Sequence, residues 1–337
     1  MSERRAIWLS NAPAVQGLSF RHYEGDRDLP AIVDVLNRSM LADDDEFLYT
    51  IEDVRLEYIN TANFDPSEDV LIAELEGQPV GVAYTRWNRK PEGVRLYEHH
   101  AHLVPEARFP GLRQSMVLWS EQRLKTIAST HQTPDSKKFE VWTKQSANEW
   151  RELALANGYE DDWHLFEMKR PNLENIPDCA LPQGIEIKPV TKENFRSVFA
   201  ACREAFMDDR GFSEDRWGED RYREFLEHPK ARFDLWRVAW SGNEVVGGVG
   251  VTISEEENAA FARKRAWANH VFVRRTWRKQ GIARALLATT LKALRDEGFE
   301  EAALTVDTDN PSGALRLYKQ LGFVECAEFI FVTKPVQ

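Results

Sequence analysis

The sequence predicts an α/β protein made of two tandem copies of one fold, each a mixed, mostly antiparallel sheet flanked by helices. Three observations carry this expectation. The 337 residues exceed what one hydrophobic core usually serves, so two domains are the default. The halves repeat each other in a single order: Asp43 falls on Asp208 and Gly77 on Gly242 at a shift of 165, Gly111 on Gly281 at 170, and Gly158 on Gly322 at 164. Small drifts of this kind are what loop changes do to a duplicated domain. Each half also alternates strand-like apolar runs with helical ones.

Taken in order, the first half reads as a strand at 19–23, helices at 29–40 and 51–60, a hairpin over 70–88, a strand at 95–104 and a helix at 112–128. A strand at 139–143, a helix at 147–157 and a closing strand at 163–169 follow. The second half repeats the series at 184–189, 192–206, 221–227, 235–253, 265–273, 282–297, 302–306, 313–321 and 329–333. The hairpins turn at Glu76-Gly77-Gln78 and Ser241-Gly242-Asn243, where Gly and Asn accept positive φ. Arg170-Pro171 through Ile176-Pro177 carries two prolines and no periodicity, and reads as a linker. The expected domains are therefore 1–170 and 184–337, joined by 171–183.

Composition narrows the functions. A formal charge of −11 argues against a nucleic-acid surface, which needs clustered positive charge, and makes a small cationic or neutral molecule the easier partner. No apolar run approaches a membrane span, and Met1-Ser2-Glu3-Arg4-Arg5 lacks the apolar core of a signal peptide. Three unpatterned cysteines, Cys179, Cys202 and Cys326, suit a reducing, cytoplasmic compartment and imply neither a disulfide framework nor a zinc site. Monomer and homodimer are equally compatible with the sequence.

The chemistry concentrates in two segments. Val271-Phe272-Val273 runs through a basic turn, Arg278-Lys279-Gln280-Gly281-Ile282-Ala283-Arg284, into a helix with Leu286, Leu287, Leu291 and Leu294. The free N–H groups of a first helical turn converge on one point and favour an anion there, and small residues at Gly281 and Ala283 let it approach. Some thirty residues on, a strand ending near Val306 leads through Asn310-Pro311-Ser312-Gly313 to a short helix with Tyr318, stopped at Gly322-Phe323. This pairing resembles the GNAT superfamily of Gcn5-related N-acetyltransferases, whose motifs are an Arg/Gln-x-x-Gly-x-Gly/Ala turn followed by an Asn…Tyr-x-x-x-Gly-Phe segment. The tandem layout looks like the superfamily's two-domain members of the mycothiol synthase type; residues 265–323 carry the specific motifs.

The resemblance implies acetyl-CoA as donor and a primary amine of a small molecule as acceptor, joined by direct attack in a ternary complex. It implies that backbone groups of Val271, Phe272 and Val273 hold the pantetheine arm and acetyl carbonyl, that amides from Arg278 to Arg284 hold the pyrophosphate, and that Asn310 contributes from the second motif. Tyr318 would protonate the leaving thiolate, which a phenol of pKa about 10 can do. Asp43-Asp44 and Asp208-Asp209 fall where the family places its acceptor loop and could attract an ammonium; helix-end charges in water explain them equally. The base is open. Relatives often carry Glu where this chain has Trp267, and His270 has a suitable intrinsic pKa but is expected to face away from Val271 and Val273. Other readings are a longer acyl donor and a silent acyl-CoA-binding or regulatory module.

The halves differ where it matters. The first-half turn has Pro110, which offers no N–H, Arg113 in place of Ala283, and Ala154 in place of Tyr318, so the first domain is expected to bind acetyl-CoA weakly or not at all. His100 and His102 share a strand face and would permit a metal, but no third ligand lies at usable spacing, so none is expected.

Overall fold

A computed structural model describes residues 6–9, 11–310 and 312–337; the Met1–Arg5 start and Pro311 of the second motif lie outside the described residues. The chain packs as two compact units. The first comprises the chain to Asp162 with Ser213–Arg216 and Ile330–Gln337, and the second Trp163–Phe212 with Trp217–Phe329.

The first unit contains β1 (Ala6–Ile7), β2 (Leu18–His22), α1 (Leu29–Leu41), α2 (Ile51–Asn60), α3 (Pro66–Asp69), β3 (Val70–Leu75), β4 (Gln78–Lys90), β5 (Val94–Leu103), α4 (Leu112–Thr130), β6 (Ser136–Lys144) and α5 (Asn148–Ala156). Strands β1 to β5 pair antiparallel in chain order and β5 pairs parallel with β6. Pro at the start of α1 and a Thr50–Asp53 capping box on α2 begin those helices. Their apolar stripes reach a core that includes Leu29, Ile32, Val54, Tyr97 and Met116.

The second unit holds β7 (Glu160–Arg170) from residue 163 onward, β8 (Ile185–Lys188), α6 (Lys192–Phe206), α7 (Glu219–Glu227), β9 (Arg237–Ser241), β10 (Glu244–Thr252), α8 (Glu255–Ala260), β11 (Arg265–Val273), α9 (Ile282–Asp296), β12 (Glu301–Asp307) and α10 (Ala314–Gln320). Strands β8 to β11 are antiparallel neighbours, β11 and β12 run parallel, and β12 pairs antiparallel with β7. Leu286, Leu287, Leu291 and Leu294 on α9 are fully buried against this sheet, as their helical spacing requires.

Two features differ from the expected layout. The strand read as closing the first half pairs instead with β12, from Leu165↔Asp307 to Arg170↔Ala302. The last strand, β13 (Val324–Pro335), enters the first unit at Ile330. Period-2 patterning identifies a strand but carries no information about its neighbour. The short helices α3 and α8 are additions to the expected series, since one or two turns leave no periodicity to see. In the hairpin turn after β3 the left-handed conformation falls on Glu76 (φ 50°) as well as Gly77 (φ 78°).

Candidate functional site

The site is built on the parting of β11 from β12. Their ladder runs only from Arg265↔Glu301 to Trp267↔Ala303, although β11 continues to Val273 and β12 to Asp307. Beyond that point β11 turns a backbone edge with no partner on β12 toward the gap, the kind of edge an extended amide chain can pair with. A bulge sharpens the bend. The β10–β11 register slips between Gly248↔Phe272 and Gly250↔Asn269, and His270 takes the left-handed conformation at φ 52°. The simple face alternation expected for His270 is therefore broken. Its ring sits 4.5 Å from that of Phe225 and 5.9 Å from that of Phe206. Burial first, then the charges of Arg221 and His228, push its pKa down to about 3, which keeps the imidazole neutral and makes it a weak proton acceptor.

Close approach of β11 to β10 depends on glycine. A Cβ on Gly247 would lie 2.7 Å from Phe272 O, and one on Gly248 2.6 Å from the Phe272 ring. Phe272 is correspondingly core, so only its backbone can serve the gap; Val271 and Val273 stay half-buried.

After β11 the chain makes a short 3₁₀ turn at Arg275–Trp277 and enters α9 through two left-handed residues, Lys279 (φ 61°) and Gly281 (φ 82°). Alternation of hand around Gln280 is what concave amide nests are made from. The first backbone bond of α9 is Ala285 N–H to Gly281 O at 3.0 Å, so the amides of Ile282, Ala283 and Arg284 precede the bonded turns. A Cβ on Gly281 would meet nothing within 4 Å. Its positive φ is one that glycine adopts without strain, and the space beside it is open. Ile282 points its side chain into the core, while Lys279, Gln280 and Arg284 are exposed.

The structure moves two residues to other work. Arg278 does not project into the anion position. Its guanidinium donates to Val273 O (3.1 Å), Ala205 O (3.0 Å) and Asp208 Oδ2 (2.7 Å). Asp208 also accepts from Arg275 Nε at 2.7 Å, and those hydrogen bonds, Arg275's first, hold its carboxyl below the usual range. An Asp208 committed to two guanidiniums is a poor ammonium site. In the first unit, Arg108 likewise donates to Asp43 (2.8 Å) and Ser39 O (3.1 Å), so Asp43 is engaged in the same way. Asp44 is exposed at φ 57°, its carbonyl accepting from Lys144. Asp209 remains beside the site, since its charge acts on Tyr318.

Tyr318 lies on α10, 5 % exposed, with its ring 6.0 Å from that of Phe323. Burial, then Asp209, raises the phenol well above its usual pKa, so it carries its proton throughout the physiological range. Asn310 forms a side-chain turn, its Oδ1 accepting from Ser312 N–H at 2.9 Å. Sequence reasoning missed the aromatic wall of Phe206, Trp217 and Phe225 around His270; residues from separate segments leave no joint pattern to read.

The corresponding region of the first unit carries larger side chains. β5 and β6 likewise pair only from Val94↔Ser136 to Glu98↔Glu140. Gly111 caps α4 at φ 85° as Gly281 caps α9. Yet Arg113, 5 % exposed, lies with its guanidinium 5.5 Å from the Trp150 ring, and Trp142 packs 4.7 Å from His100. The positions of Arg113, Trp142 and Trp150 hold Ala283, Thr305 and Ala314 in the second unit. His100 and His102 stack at 5.9 Å, both held well below the usual imidazole range by burial first. No cluster of three metal-ligating side chains occurs among the described residues.

Register also finds the counterpart of Trp267. Arg86↔Glu98 in the first unit occupies the place of Thr252↔Trp267 in the second, counting from Gly81↔Leu103 and Gly247↔Val273 and allowing for the bulge. Glu98 is buried between Arg86 (2.9 Å) and Arg216 (2.5 Å), with Asn88 donating to it as well. Burial alone would raise its carboxyl, but Arg216 and Arg86 overcome this and hold it well below the usual range. Glu98→Ala should cost about 1–3 kcal/mol, because Arg216, which is partly exposed, loses its anion while Arg86 keeps Glu57 at 2.9 Å. A depressed carboxylate stabilises above its unfolded pKa of about 4.3 and ceases to as pH falls through the folded value. Urea melts should therefore show the wild type losing its advantage over the variant on acidification; a constant difference from pH 7 to pH 3 would contradict this.

Among known proteins, the sequence model of the acetyltransferase (GNAT) family matches residues 199–323. Human N-acetyltransferase 8 is 37 % identical over 94 residues, 28 % of this chain and 40 % of that protein. Rat N-acetyltransferase 8B is 37 % identical over 92 residues, 27 % of this chain and 40 % of that protein, so the chain spans well under half the length of these relatives. Two solved structures align over nearly the whole chain. The GCN5-related N-acetyltransferase from Sphaerobacter thermophilus has a TM-score of 0.71 at 21 % identity, covering 96 % of this chain and 98 % of that one. A tandem GNAT protein from the clavulanic acid biosynthesis pathway has a TM-score of 0.66 at 13 % identity, covering 95 % and 99 %. At these identities the likeness establishes the fold.

Proposed function

We propose, from the match of residues 199–323 to the acetyltransferase (GNAT) family model, that this chain moves an acetyl group from acetyl-CoA to a primary amine of a small molecule. The observation that carries this is the parting of β11 and β12 together with the left-handed Gly281 and the first-turn amides of α9, the helix that follows β11. An extended pantetheine arm has a strand edge to pair with, and its pyrophosphate has amide donors and a helix N-terminus to meet. When bound, the thioester supplies the activated acetyl carbonyl.

The amine nitrogen forms the new N–C bond by attacking that carbonyl in the ternary complex, the C–S bond breaks, the Tyr318 hydroxyl gives its proton to the departing thiolate, and the second proton shed by the nitrogen as it becomes an amide restores the phenol. Burial keeps this phenol protonated, so the proton is present when the thiolate forms, although the same burial weakens it as an acid. Asp209, whose charge reaches Tyr318, orients the acceptor ammonium. The ammonium's proton leaves through water, because a His270 with a pKa of about 3 accepts it poorly. Asn310 and exposed Lys279 support the donor. The first unit holds no acetyl-CoA, a reading supported by Arg113, Trp142 and Trp150 at the positions of small second-unit residues and by Ala154 in place of Tyr318.

Thiol release from acetyl-CoA against a panel of polyamines, aminoglycosides and amino sugars tests the proposal. Steady, amine-dependent CoA release is the expected result. Acetyl-CoA binding without turnover on any amine would instead favour a silent acyl-CoA-binding module.

A further inference from the structure

The bracket of Asp208, Arg275 and Arg278 has no evident purpose in stability. The side chains are 31 %, 58 % and 28 % exposed, and ion pairs that wet contribute little. Its geometry is specific nonetheless. One guanidinium, Arg278, reaches the last carbonyl of β11, a carbonyl in the last turn of α6 and the carboxylate of Asp208. Arg275 takes the same carboxylate from the other side of the 3₁₀ turn. The group thus fixes where β11 ends, how the turn through Lys279 and Gly281 leaves it, and where the segment from Asp208 to Phe212 begins.

We propose that Asp208 is a positioning residue for the donor. Through Arg275 and Arg278 it holds the turn amides in register with the β11 edge, and it ties that turn to the segment carrying Asp209. This rests on the proposed function, because it takes acetyl-CoA as the ligand of those amides. The first unit provides an internal control: Asp43 and Arg108 make the same kind of bracket beside the region that carries larger side chains.

Hydrogen exchange on the ligand-free full chain reads the bracket without reference to activity. Asp208→Asn should speed exchange of the amides from 279 to 284 and from 207 to 212, leaving the α9 interior unchanged, and Asp43→Asn should not affect them. Calorimetry with acetyl-CoA should then show affinity reduced about tenfold in Asp208→Asn, partly restored in Asp208→Glu and unchanged in Asp43→Asn. Exchange at 279–284 unaltered by Asp208→Asn, or equal affinity in Asp208→Asn and the wild type, would overturn the proposal while leaving the donor assignment standing. Failure of the wild type itself to bind acetyl-CoA would remove the donor assignment and this role together.

Discussion

Gly281→Val is expected to abolish measurable acetyl-CoA binding, with affinity falling by about 10²-fold or more while the protein stays folded. The physical reason is conformational. Gly281 sits at φ 82°, where a β-branched residue is strongly disfavoured, and a strain of about 1–3 kcal/mol is relieved by rotating the backbone out of the left-handed region. That rotation turns the amides at the head of α9 away from their common point, so the donor loses several hydrogen bonds at once. A Cβ there meets no atom of the protein within 4 Å, so the fold itself does not exclude a side chain at this position. Gly281→Ala, which has the φ penalty without the branch, should therefore fall between wild type and valine. Calorimetry on the full chain checks both variants and also the first unit. Micromolar acetyl-CoA binding surviving in Gly281→Val would show that the first unit, with its Arg113 and Trp150, holds the cofactor after all.

The second large effect is on the chemical step. Tyr318→Phe should lower kcat by about 10²-fold and leave acetyl-CoA affinity within about twofold, because the phenol acts on the thiolate as it departs and not on the bound ground state. An unchanged kcat would remove Tyr318 from the reaction. The pH profile gives a separate check. Burial, followed by the charge of Asp209, raises the phenol, so its proton is retained at and above the ordinary tyrosine value. The wild-type rate should show no loss attributable to Tyr318 as pH rises toward about 10. By the same sign, this tyrosine favours the folded state below its unfolded pKa and ceases to as pH climbs through the raised value.

The sequence made the strand, turn and helix around Gly281 legible and the surroundings of His270 obscure. Residues 271–284 and 310–322 are continuous stretches whose helix start, glycine and apolar spacing each have a local meaning, so strand, turn and helix follow from neighbouring residues alone. His270 resisted because its environment comes from Phe206 on α6, Phe225 on α7 and a bulge that no pattern announced. Asp208 misled for a related reason. An acid at the end of a helix reads as an available charge until Arg275 and Arg278, nearly seventy residues on, are seen to take it.

By itself the sequence determined the duplication, the α/β alternation in each half, the start of α9 after Gly281, and the residue differences between the halves at Pro110, Arg113 and Ala154. These are properties of short segments, set by local backbone preference and side-chain spacing. Tertiary structure alone decided that Trp163–Arg170 pairs with β12, that β13 enters the first unit at Ile330, and that Arg113 and Trp150 meet. It alone decided as well that Arg278 holds the turn's frame. Which edge a strand joins, and which charge a guanidinium finds, depend on distances through space between residues far apart in the chain.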